Sequence, residues 1–250
     1  MNDPESGDKS YKRRLSINYI NSDQKSNVYS LPTVGLLEQI EDYNRRVSRN
    51  LITCILPPCP RCHVCADQFK RHELRKRQFN VIVDQVIHTV TGLLIRWVCH
   101  GCGKTFSQYP AFALPYKRYL LPDMIQYAER YLETEDMTYA QLVRKWAAGY
   151  QRTCEDESQL WPSTIHRWIT TLGALPGILA RTQQLIRQKN PSAAAARHLS
   201  QLTVSSRKFI TDMRRQVLIG CRQILFMERL FRETFDTSVF AKVAPVCGYG

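Results

Sequence analysis

No run among the 250 residues approaches the 18 or more apolar residues that a membrane span requires. The opening MNDPESGDKSYKRR has no apolar core of the kind that marks a secretory leader, so a cytoplasmic location is expected, with no membrane partner. Neither a G-x-x-x-x-G-K-[ST] phosphate loop nor a G-x-S-x-G nucleophile elbow occurs, which removes two common routes to catalysis. Carboxylates are few and scattered. Asp84, Asp123, Glu129, Glu133, Glu135 and Asp136 fall on an expected hairpin, on helices or at helix ends, whereas a two-metal nuclease needs acids converging from a strand-based core. Nothing after residue 105 reads as such a core, and an enzyme is not expected. Internal repeats and low-complexity tracts are also missing. The shortage of acids sets the charge: 22 Asp and Glu face 35 Lys and Arg, giving +13, a balance that favours polyanions. At 44% hydrophobic residues the chain has enough apolar mass to bury a core.

What the chain does have is paired cysteine. Cys59-Pro-Arg-Cys62 and Cys99-His-Gly-Cys102 are two C-x-x-C knuckles, and two such pairs suffice for one tetrahedral four-cysteine zinc site. Two intervening residues let both thiolates of a knuckle turn onto one ion, and Gly101 and Gly103 suit so tight a turn. Cys65, three residues after Cys62, is the alternate ligand, and His63 and His100 sit within reach. Disulfides are disfavoured without secretion, and a thioredoxin-like site wants one C-x-x-C at a strand-to-helix junction. Cys54, Cys154, Cys221 and Cys247 lack partners at metal spacing and read as packed thiols.

Between the knuckles, Phe79 to Val90 and Leu93 to Cys99 are rich in β-branched and aromatic residues, and Thr91-Gly92 splits them. The pattern predicts a hairpin turning at Thr91-Gly92, with Leu93, Ile95, Trp97 and Cys99 on one face. This is the layout of a zinc ribbon over residues 54–110. Residues 1–30 are polar and basic and read as a flexible arm. Leu36, Leu37, Ile40, Tyr43 and Val47 recur at helical spacing, predicting a lead-in helix within 31–53.

Residues 111–175 read as helical. After a proline-spaced connector carrying Tyr116, Lys117, Arg118 and Tyr119, Pro122 opens an amphipathic helix that runs to Glu133. Thr138 caps a second helix with Leu142, Val143 and Trp146 on one side. Trp161-Pro-Ser-Thr-Ile-His-Arg-Trp predicts a third, capped by Ser163 and ending at Gly173. Its polar face carries Thr164, His166, Arg167, Thr170 and Thr171, the short donors, acceptors and one guanidinium that major-groove reading requires. The pair looks like a helix-turn-helix, although the connector from Gly149 to Leu160 is long and holds Glu155-Asp156-Glu157. Lys117 and Arg118 are the candidate phosphate contacts outside it. The competing reading is two core helices with a solvated polar face.

Residues 176–250 read as a C-terminal helical region. Ile210, Met213, Val217, Gly220, Ile224, Met227 and Phe231 form a heptad-like seam, served either by packing within the chain or by a homodimer. Arg207, Lys208, Arg214, Arg215, Arg222, Arg229 and Arg232 cluster on the same segment as phosphate contacts or a solvated face. The expected fold class is therefore α+β: a small β zinc ribbon followed by a mostly α-helical, helix-turn-helix-like region.

Cys59-Pro-Arg-Cys62 together with Arg96-Trp-Val-Cys-His-Gly-Cys-Gly-Lys-Thr-Phe resembles the zinc ribbons that precede helix-turn-helix segments in bacterial transposases and transposon-associated proteins. The later Pro-Ser-Thr-Ile-His-Arg-Trp is similar to their second-helix pattern, and Phe112 to Tyr119 with the following helices looks like an uncharacterised bacterial family with this order of elements. The likeness covers residues 55–175. It implies double-stranded DNA as partner in a mobile-element setting, structural zinc, and a transposase or recombinase nearby. A protein-interaction adaptor that docks such a partner through the ribbon is the alternative, and RNA binding a third reading.

Overall fold

The computed structural model describes residues 33–83, 86–146, 160–191 and 199–242. The arm at 1–30, the loop carrying Cys154 and Glu155-Asp156-Glu157, the Ala193–Ala196 run and Cys247 lie outside the described residues.

A three-stranded antiparallel sheet in the order β1-β2-β3 occupies the first half of the chain. Strand β1 (Lys70–Val83) pairs with β2 (Val86–Val98) from Lys70 opposite Val98 to Val83 opposite Val86, and β3 (Thr105–Gln108) pairs with the end of β2. The ladder therefore ends at the Val83–Val86 pair and does not turn at Thr91-Gly92, which lie inside it opposite Gln78 and Arg77. The reason is packing. A Cβ on Gly92 would stand 2.7 Å from Cε2 of the fully buried Phe79, so this glycine marks a close approach within a strand.

Each face of the sheet carries a hydrophobic cluster. Helix α1 (Thr33–Ser48) lays Leu36 and Ile40 over Phe79, Val81 and Leu94, joined by Phe112, Ala113 and Leu120 from the connector. Val47, Phe69, Ile95 and Trp97 pack with Cys59 and Cys99 in a second cluster. Two free strand edges are capped. Asn44 Nδ2 donates to the Thr91 carbonyl and its Oδ1 accepts from Leu93 N–H, each at 2.9 Å, so α1 closes the edge of β2. Along the outer edge of β1, Asn80 N–H donates to the Arg118 carbonyl at 2.8 Å and Ile82 N–H donates to Asp123 Oδ2 at 3.2 Å. These contacts protect the edge and dock the sheet on the helices.

The helical half comprises α2 (Leu121–Glu133), α3 (Tyr139–Trp146), α4 (Pro162–Gly173), α5 (Pro176–Lys189), α6 (Asp212–Phe235) and the short α7 (Val239–Lys242). Thr138 and Gln141 form a reciprocal capping pair at α3: Gln141 N–H donates to Thr138 Oγ1 at 3.2 Å and Thr138 N–H to Gln141 Oε1 at 2.8 Å. Helix α4 opens two residues earlier than expected, with Trp161 in place of Ser163 at the cap. Pro162 takes the first helical position, where its missing N–H costs nothing, and the Trp161 carbonyl accepts from Thr164 and Ile165, so Ser163 is not the cap. Ile165, Trp168, Ile169 and Leu172 are buried, as their spacing predicts.

Helices α4 and α6 meet backbone to backbone. A Cβ on Gly173 would fall 2.2 Å from the Val217 carbonyl oxygen, and one on Gly220 would fall 2.6 Å from that of Gly173. Gly220 thus makes the crossing possible instead of weakening a seam. From Val217 onward the seam packs within the chain, with Ile224, Met227 and Phe231 buried, while Ile210 and Met213 stand exposed.

Candidate metal centre and nucleic-acid interface

The four predicted sulfurs converge. Those of Cys59, Cys62, Cys99 and Cys102 all lie within 4.8 Å of one another, with Cys59 to Cys102 at 3.5 Å and Cys62 to Cys99 at 3.4 Å. A tetrahedral centre with bonds of about 2.3 Å has edges of about 3.8 Å, so these sulfurs fit a single ion after small side-chain adjustments. Cys65 is exposed and outside this set, and Cys221 is a buried, packed thiol, as expected.

The two knuckles repeat one backbone design. In the first, His63 N–H donates to the Cys59 carbonyl and Cys59 N–H to that of Val64; in the second, Gly103 N–H donates to Cys99 and Cys99 N–H to Lys104, at 2.8 to 2.9 Å throughout. Positions 63 and 103 both adopt positive φ, 57° and 71°. Glycine is at home there, but His63 is not. Gly101 is needed for a different reason: a Cβ would meet Val64 at 2.9 Å and the Cys62 sulfur at 3.3 Å. Against burial, N–H groups of Cys62 and Arg61 and the neighbouring thiols lower the Cys59 thiol, whereas burial and the neighbouring thiols raise that of Cys62. Amides directed at sulfur are what a ligating thiolate requires.

The α4 face is only partly available. Thr170 donates its hydroxyl to the His166 carbonyl at 2.8 Å and accepts from Arg214, and Thr171 donates to the Arg167 carbonyl. His166 lies edge-on to Tyr139, and burial, reinforced by Arg214 and Arg167, lowers its pKa. Thr164 is half-buried, which leaves Arg167 as the exposed cation of this face. The basic stripe of α6 and the turn before it is largely spent inside the chain. Arg207 pairs with Asp136, Arg229 with Glu129 and Arg232 with the fully buried Glu228. Lys208 donates to the Tyr131 carbonyl and Arg222 to that of Thr203.

A larger cationic surface lies on the sheet. A groove of about 1340 Å³ runs between residues 51–57, the Arg75–Gln78 stretch of β1, strand β3 and the connector that follows it. Arg46, Arg75, Lys76, Arg77, Arg96, Lys104 and Arg118 line it, with no acid among the described lining residues. Glu73, outside the lining, bridges Arg75 at 2.6 Å and Arg96 at 2.5 Å. Arg77 holds the connector in place by donating to Tyr109 Oη at 2.9 Å and the Lys117 carbonyl at 3.2 Å. Arg118 is exposed in this groove, whereas Lys117 is half-buried and outside its lining. Apart from Arg118 these cations were not singled out from sequence. For Arg75, Lys76 and Arg77 the signal is the run from Lys70 to Arg77, which becomes a wall only once β1 is seen to begin at Lys70 instead of Phe79.

Comparison with protein-family models, with curated proteins and with solved structures finds no match. Among the described residues no helix is long and apolar enough to cross a membrane.

Proposed function

We propose that the chain is a zinc-stapled DNA-binding protein: a zinc ribbon whose sheet carries the principal grip on the phosphate backbone, followed by helices that add a second contact through Arg167. The observation that carries this reading is the groove, seven cations without an acid in its lining. Phosphate neutralisation by clustered Lys and Arg supplies most sequence-independent affinity. Zinc is the metal of choice because four thiolates without an open position make a closed structural site. The helix-turn-helix assignment of α3 and α4 rests on their order and on the exposed Arg167. The mobile-element setting rests on the resemblance of the cysteine and Pro-Ser-Thr-Ile-His-Arg-Trp motifs.

The test is binding to a fluorescent duplex measured at several salt concentrations. Glu73 offsets one of the seven cations, so at most about six phosphates are neutralised and log K falls against log salt with a slope of up to about −5. Arg118→Glu combined with Lys76→Glu should weaken binding and flatten that slope. No binding of either a duplex or a single strand at 50 mM salt, or a slope near zero, would refute the reading and favour the protein-adaptor alternative.

A further inference from the structure

The groove is amphipathic as well as basic. Leu51, Ile55 and Tyr116 line it at 60%, 53% and 75% exposure, beside the cations described above. A duplex keeps its base faces stacked inside and offers such apolar groups nothing. An unpaired strand offers phosphates and open base faces together.

Tyr116 is held for this role by its backbone. It sits at φ 61°, a left-handed conformation that a bulky side chain adopts only against a steric cost. The connector around it is over-determined: Phe112, Ala113 and Leu114 are buried on one side, Lys117 N–H donates to the Leu114 carbonyl, and Arg77 grips the Lys117 carbonyl. The cost therefore goes into presenting one aromatic ring to solvent at a cationic groove. Strain of this kind collects where a residue serves a ligand. Tyr109, also in the lining, has the Arg77 guanidinium 5.4 Å from its ring centre, and so is already occupied.

From these observations we infer that the groove binds single-stranded DNA, with a base stacked on Tyr116, the phosphates on the flanking cations, and Leu51 and Ile55 against neighbouring base or sugar surfaces. This rests on the nucleic-acid reading above and specifies which form of DNA the groove takes.

The experiment compares a 12-nucleotide oligo(dT) with the same strand annealed to oligo(dA), using the full chain in its metal-loaded form. The single strand should bind at least about tenfold more tightly. Tyr116→Gly deletes the ring and at the same time relieves the positive φ, so the fold is kept; it should weaken single-strand binding at least about fivefold. Tyr116→Phe should bind as the parent does. A strand carrying 2-aminopurine should lose fluorescence on binding the parent protein and not on binding Tyr116→Gly. Duplex binding as tight as single-strand binding, or a Tyr116→Gly protein that binds oligo(dT) like the parent, would overturn this inference and leave the DNA-binding reading standing. Failure of both forms to bind at low salt would overturn both.

Discussion

Replacing Asp123 by asparagine should stabilise the chain, and by more the higher the pH. Asp123 lies in the first turn of α2, is 6% exposed and accepts from Ile82 N–H, so it joins the helical half to the edge of the sheet. Burial lifts its pKa from 3.8 to about 7, only partly offset by that hydrogen bond. A carboxyl raised in the folded state holds a proton that the unfolded chain has released. Stability is therefore lost as pH climbs from 3.8 towards about 7, and the loss levels off above it. Asparagine keeps the acceptor and cannot ionise. Between pH 5.5 and 8 the advantage of Asp123→Asn should grow by about 2 kcal/mol, since each pH unit below the folded value is worth about 1.4 kcal/mol. Glu129, also raised to about 7 chiefly by burial, titrates in both proteins and cancels in the difference. Urea unfolding of parent and variant across that range reads the effect as a midpoint gap widening by about 1 M. A gap independent of pH would show that Asp123 is not a buried, protonated carboxyl, and the docking of sheet on helices would need another account.

The remaining predictions concern the metal module. His63→Gly should raise the urea midpoint of the metal-loaded protein by an amount equivalent to about 1 kcal/mol, because His63 is exposed at the positive φ that Gly103 adopts in the partner knuckle; an unchanged or lower midpoint would refute the equivalence of the two knuckles. Protein purified without chelators should contain one zinc per chain by elemental analysis. Cys102→Ser should lower that content and weaken DNA binding together, and zinc-free protein with full affinity would remove the metal from the functional reading.

Legibility in the sequence followed the range of the determining contacts. The C-x-x-C pairs could be read because spacing of two residues fixes local geometry, and all four ligands converge as expected. Helix α2 could be read because Pro122 and a repeating apolar face act within one turn or two. Thr91-Gly92 is a false turn signal because Gly92 resembles a turn residue until Phe79, on the paired strand, is seen to lie against it. The same limit hid the fate of the basic stripe near α6. Arg207, Arg229 and Arg232 look like phosphate contacts in a linear reading, and only the folded chain brings Asp136, Glu129 and Glu228 to them. The groove is illegible in the sequence for a related reason: its walls come from stretches far apart in the chain, residues 51–57, Arg75–Gln78 and β3 with the connector after it, and only their assembly makes a single cationic surface.

That assembly also gives the proposed metal a structural role beside this groove. One wall, residues 51–57, contains no regular structure and leads straight into Cys59. The facing wall is β3, which begins just after Cys102. Between them a single buried side chain forms the bridge: Gln108 Oε1 accepts from Ile55 N–H at 3.1 Å and its Nε2 donates to the Thr53 carbonyl at 3.2 Å. This wall has no backbone ladder of its own: besides the Gln108 amide, Leu51 N–H donates to the Arg46 carbonyl and Ile52, Cys54 and Leu56 pack on the cluster of Val47, Phe69 and Trp97, while Leu51 and Ile55 stay exposed. An ion binding Cys59 and Cys102 at once would fasten the roots of both walls to a common point. Zinc in this reading touches no nucleic acid. It would fix the spacing of the walls, and the proposed nucleic-acid contacts, the cations of β1 and the ring of Tyr116, would use the gap that spacing leaves.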